Sequence, residues 1–262
     1  MLKRLRKTSI ALSVAGLVTA LGGVAMSTGA ATAAPAPDGP HYYVTVGGTC
    51  DGGGGVYNGI DLRGGTRLNV DYPAGAAGLP NCDQTPMDQS IEIGRENAKN
   101  VIVDNWDPNA TYTLVGYSQG AIVVNKVLED IADGKVAVDK ANFNAKLYAD
   151  PMAPVGPPGI GIGAVIPEGV GLPSPFGGYV SPGKGRTDFG GIEYVRYCIE
   201  TDGVCDFNDI QGPGGYIAQH TCYRWDDPNG NNLMEDSIAD GFFNNGPVSI
   251  PKKDCWGALP TI

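Results

Sequence analysis

Five residues constrain this chain more than any others: Gly116-Tyr117-Ser118-Gln119-Gly120. A short apolar run at residues 111–115 leads straight into them, and a helical apolar pattern at 121–131 follows, ended by Asp133-Gly134. A strand that passes through one serine directly into a helix needs a sharp, strained turn, and small neighbours keep that turn free of clashes. The serine oxygen then stands at the carboxyl end of the strand. The N–H of Gln119, at the helix start, points to where negative charge would develop on a bound carbonyl oxygen. Ser118 is therefore read as a nucleophile and Gln119 as an oxyanion donor. With 40 glycines in the chain such a motif arises by chance, so the strand and helix around it carry the specificity.

The rest of the chain repeats the alternation of strand and helix. Residues 42–46, 67–72, 111–115, 145–149 and 193–199 read as strands, and 87–105, 121–131 and 233–243 as helices. That order predicts an α/β fold, a three-layer sandwich around a central, mainly parallel sheet. One segment breaks the pattern. Residues 151–192 hold 12 Gly and 8 Pro, too many for a helix or strand, yet include Ile160, Ile162, Val165, Ile166, Val170, Leu172 and Phe176. A solvated linker would not carry so many apolar side chains, so this lid-like insertion is read as a cover over an apolar substrate channel, with a loop packed on the sheet as the alternative.

The amino terminus reads as an export signal. Lys3, Arg4, Arg6 and Lys7 precede a mostly apolar run, and Ala31-Thr32-Ala33-Ala34 offers small residues for cleavage. The expectation is a signal peptide at 1–34, a single domain at 35–262 and a secreted, extracellular protein. Without residues 1–34 the chain keeps 14 basic residues against 28 acidic ones, a net charge of −14 that repels phosphate backbones and disfavours nucleic acid as a partner. No later segment is long and apolar enough to span a bilayer. All six cysteines lie in the exported part, an even number that suggests disulfides. Cys198 and Cys205 are close enough in sequence to pair, and the order-preserving arrangement adds Cys50–Cys82 and Cys222–Cys255. No CxxC pair exists and histidines number two, so no metal site is expected. The polar stretch from Asp226 to Asn232 lacks the glycine placement of a calcium loop and reads as a turn.

A nucleophilic serine needs a base, and the choice is between His41 and His220. His41 precedes the first strand, at the end of the sheet opposite Ser118. His220 comes late, as the order serine, acid, histidine of this fold type requires. For the acid, Asp202 sits at the tip of the short Cys198–Cys205 loop, where a disulfide would hold its backbone. Asp150, at the end of the strand after the nucleophile, competes with it, and Glu200 is a third candidate.

Together these residues resemble the cutinase superfamily, and most of all the PE-PPE-domain serine hydrolases of mycolate-walled actinobacteria. The likeness rests on Gly116 to Ala121, on the Cys198–Cys205 loop with Asp202, and on the distance to His220. Val70-Asp71-Tyr72-Pro73-Ala74 and Ala149-Asp150-Pro151-Met152-Ala153-Pro154 are similar to the PE-PPE pattern. Gly48-Thr49 resembles a second oxyanion position, which makes Thr49 a donor beside Gln119. The long insertion and an extra cysteine pair depart from small cutinases. The resemblance implies an α/β-hydrolase fold and hydrolysis of carboxylic esters through an acyl-enzyme, without a cofactor, by a monomer. Acyl esters, lipids and cell-envelope lipids are the implied substrates. Acyl transfer to a cell-wall sugar, and a catalytically silent binding or wall protein, are the alternatives.

Overall fold

The computed structural model describes residues 39–171, 179–207, 219–224, 232–253 and 255. The expected signal peptide and most of the polar stretch after Asp226 lie outside them. Among the described residues six strands form one sheet: β1 (His41–Val46), β2 (Thr66–Asn69), β3 (Thr111–Tyr117), β4 (Phe143–Tyr148), β5 (Glu193–Ile199) and β6 (Gly246–Ile250). Every pairing is parallel, in the order β2-β1-β3-β4-β5-β6. The inner strands are buried on both faces, which is why they read as apolar runs rather than as alternation.

Two helices cover one face, α1 (Met87–Asp104) and α2 (Gln119–Ala132). Ile122, Val124, Val127, Leu128 and Ile131 of α2 are buried in one cluster with Val44, Leu114, Ala145 and Leu147 of the sheet. Full burial of each such aliphatic side chain contributes about 1.5–3 kcal/mol. The other face packs Tyr43, Val115, Tyr148, Val195 and Tyr197 against Tyr57 and a short helix, which we number α4 (Leu233–Ser237).

The insertion at 151–192 begins and ends as packing. Its described flanks place Met152, Tyr179, Phe189 and Ile192 in the α2-side core. One helical turn, α3 (Ile162–Val165), lies within it. Arg186 holds Asp133 at the end of α2 through two bonds of 2.7 and 2.9 Å. These flanks act as the loop packed on the sheet that the composition left open; residues 172–178, in the middle, are outside the described set.

Two element ends move by three residues or more from the sequence reading, and one strand is added to it. β2 ends at Asn69 because the chain then crosses under the loop after β1, where the Tyr72 hydroxyl bonds Gly47 O at 2.7 Å. The last helix stops at Ser237, well short of Phe243. β6 went unread because its Gly246-Pro247 start looks like a turn. Proline is tolerated there because β6 is the edge strand among the described residues.

Candidate active site

Strand order puts the site where it is. The chain goes from β1 outward to β2, then returns past β1 to β3, so the winding reverses between β1 and β3. Crevices at such reversals, beyond the carboxyl ends of the strands, are where open α/β sheets bind ligands. Ser118 follows β3 and Gly48-Thr49 follows β1, one on each side of this crevice.

Ser118 has φ 55° and ψ −118°, a left-handed backbone for a residue with a Cβ, and it caps α2. Its N–H still bonds Tyr148 O at 3.0 Å, so the strand ladder runs up to the serine itself. The flanking glycines have a steric reason. A Cβ on Gly116 would lie 2.5 Å from Gly120 O, and one on Gly120 would lie 2.2 Å from Val46 O and 2.4 Å from Gly47 O. Those are backbone atoms that cannot swing aside. Gly120→Ala is therefore expected to cost about 2–4 kcal/mol of stability by prising α2 from β1, measurable as a lower urea midpoint. An unchanged midpoint would mean the helix start is free to shift.

His220 Nε2 lies 2.9 Å from Ser118 Oγ, and His220 Nδ1 lies 3.1 Å from both Asp202 oxygens. A carboxylate only accepts, so Nδ1 carries the proton and Nε2 accepts from the serine hydroxyl. Asp202 is fully buried, and Ser118 and His220 are each 7% exposed. The acid loop is held from several sides. Cys198 and Cys205 are bonded across it, and Asp202 Oδ1 takes the Val204 N–H at 3.0 Å. The insertion braces it through Phe207 N to Ile160 O and Ile162 N to Val204 O.

The turn carrying His220 is tied to the carboxyl-terminal stretch. The Gln219 amide exchanges two bonds with the Lys253 backbone, and Cys222 is bonded to Cys255. The Tyr117 hydroxyl donates to His220 O, and its ring stacks on the imidazole at 5.3 Å.

Next to Ser118, the Gln119 side chain is committed away from the serine. Its amide bonds Gly75 O at 2.9 Å and accepts from Ser90 Oγ at 3.1 Å. Its backbone N–H, in the first turn of α2, has no carbonyl partner within the helix. Thr49 sits in the turn after β1, half-buried. The preceding Gly48 lies so close to Ser118 that an added Cβ would come within 3.3 Å of the serine Cβ. Cys50, bonded to Cys82, anchors that turn through its N–H to Ala74 O at 2.8 Å.

The remaining candidates fall elsewhere. His41, the first residue of β1, bonds Thr113 Oγ1 at 2.8 Å and stacks on Tyr43, at the opposite end of the strands from Ser118. Asp150 pairs with Arg196 Nε at 2.7 Å and accepts from Asn125 at 3.0 Å, both partners buried. Glu200 accepts from the Ser249 hydroxyl at 3.0 Å. Tyr117 and Gln219 were not singled out in the sequence, since nothing in their spacing distinguishes them from core residues. Among the described residues, no group of three or more His, Cys, Asp or Glu is placed to hold a metal.

Parallel sheet, strained serine turn and covering helices define an α/β fold of the α/β-hydrolase type. Residues 64–212 match the PE-PPE domain family, and the chain belongs to it. No curated protein sequence matches it significantly. Among solved structures, a cutinase-like protein from Cryptococcus sp. is similar at 16% identity, TM-score 0.41, over 72% of this chain and 89% of that one. A Thermus thermophilus protein is similar at 17% identity, TM-score 0.38, over 63% and 68%. A variant of tomato methylketone synthase I matches at 12% identity, TM-score 0.38, over 84% and 91%.

Proposed function

We propose that this protein is a secreted serine esterase that hydrolyses carboxylic esters of acyl or lipid type. The observation that carries the reading is the continuous contact from Ser118 through His220 to Asp202 beside a strained serine turn. His220 Nε2 takes the hydroxyl proton as Ser118 Oγ attacks the ester carbonyl. Asp202 keeps the imidazole in the right tautomer and stabilises the imidazolium. The backbone N–H of Gln119 and a donor at Thr49 hold the oxyanion. The tetrahedral intermediate collapses as His220 returns the proton to the leaving alcohol, and a water repeats the sequence to free the acid. No cofactor enters. Three disulfides favour an oxidising, extracellular location. No helix among the described residues is long and apolar enough to cross a membrane.

Two measurements test it. A fluorophosphonate probe is expected to label the protein once, on the peptide containing Ser118. A panel of p-nitrophenyl esters of rising acyl length is expected to show saturable turnover, its optimum reporting the acyl site. Neither labelling nor turnover across the panel would sink the proposal.

A further inference from the structure

A fully buried hydroxyl stands beside the acid without a part in that chemistry. Tyr223 lies three residues after His220 in the same short turn, with no exposed surface. Its oxygen accepts the Ile199 N–H at 2.9 Å and stands 2.8 Å from Asp202 Oδ2. Its own proton therefore goes to the carboxylate, which has none to give. We propose that Tyr223 is a positioning residue that fixes the Asp202 carboxylate in the plane that receives His220 Nδ1, an inference that rests on the esterase reading above.

The geometry supports this in three ways. A carboxylate turns about its last bond unless both oxygens are held. Here Val204 N–H holds Oδ1 and Tyr223 holds Oδ2, which leaves Nδ1 at 3.1 Å from each. Second, Ile199 is the last residue of β5, so Tyr223 references the acid to the rigid sheet end as well as to its own loop. Third, Tyr223 and His220 share one turn, so the chain that carries the base also aims the acid. Burial, and behind it the Asp202 charge, pushes the phenol well above its ordinary pKa, so it remains a donor wherever the enzyme would work. Its ring is caged by Tyr117 at 5.7 Å and Tyr148 at 6.4 Å. Among the described residues, the other titratable groups packed on the pair include Tyr117, stacked on His220, and Tyr148, edge-on to Tyr223; Asp206 shares the acid loop, where its carboxylate accepts the Thr201 N–H.

Tyr223→Phe keeps the ring, removes the donor to Asp202 and leaves the Ile199 N–H without its acceptor, so some stability is lost in either case and the kinetic and spectroscopic readouts decide. The expected result is a kcat lower by about tenfold to hundredfold with KM within about twofold, since positioning acts on the transition state. Without the donor, more negative charge faces the imidazolium. The acidic limb of the rate profile should then move up by a few tenths to one pH unit. A merely structural tyrosine would lower the unfolding midpoint and leave that limb in place. Proton NMR gives a readout independent of substrate, because the chain has two histidines and His41→Ala removes one set of signals. In Tyr223→Phe the downfield Nδ1 proton of His220 should shift or broaden. A folded Tyr223→Phe with unchanged kcat, rate profile and histidine signals would overturn the inference. An inert wild-type protein would instead count against the esterase reading, while the NMR comparison would still decide whether Tyr223 acts on the Asp202–His220 pair.

Discussion

Asp202→Asn is expected to lower kcat by about four orders of magnitude and leave the protein folded, whereas Asp150→Ala is expected to destabilise the fold by about 3–5 kcal/mol. The two acids follow neighbouring strands, β5 and β4, and have opposite partners. At Asp202 an amide would set an NH₂ donor among groups that already donate: Val204 N–H, the Tyr223 hydroxyl and His220 Nδ1–H. The imidazole would lose the acceptor that holds its tautomer. Asp150 instead neutralises Arg196, whose side chain is buried against the Tyr194 and Phe189 rings, and also takes the N–H of Met152. Removing it strands a buried guanidinium, at about 3–5 kcal/mol against a typical total stability of about 5–15 kcal/mol. Urea unfolding and ester kinetics on both variants test this. A stable, inactive Asp150→Ala beside an active Asp202→Asn would reverse the assignment of the acid.

Ser118→Ala and His220→Ala should each abolish fluorophosphonate labelling and reduce ester turnover by three orders of magnitude or more. The double variant should be hardly worse, because such groups act as a unit. The serine-to-alanine change keeps the turn's backbone demand, since alanine carries the same Cβ into φ 55°. Folding should therefore survive. His41→Ala is expected to keep turnover within about twofold and to lose about 1 kcal/mol with its bond to Thr113. Comparable losses at His41 and His220 would undo the choice of base, and labelling that persists in Ser118→Ala would move the nucleophile elsewhere.

Much of this was legible in the sequence because it is local. A strand, a glycine-flanked serine and a helix in immediate succession demand the strained turn, since no other backbone joins the three in five residues. Apolar runs of strand length, separated by helical patterns, demand a parallel sheet covered on both faces. Two histidines on opposite sides of the serine in the chain leave little choice of base. What depends on distant segments meeting was decided only by the tertiary structure. Asp150 and Asp202 look alike in the sequence, each just past a strand; Arg196 and Asn125 converge on the first, while His220 and Tyr223 converge on the second. The insertion reads as a cover from its composition; that its described flanks also brace the acid loop and fill the core beside α2 depends on distant segments meeting, because parallel strands leave a face that something must bury. β6 is a strand only because β5 presents a free edge to it. Tyr117, Tyr223 and Gln219 have no signature of their own: a hydroxyl or an amide becomes an anchor through what the fold sets opposite it, and one chain segment does not contain its partner.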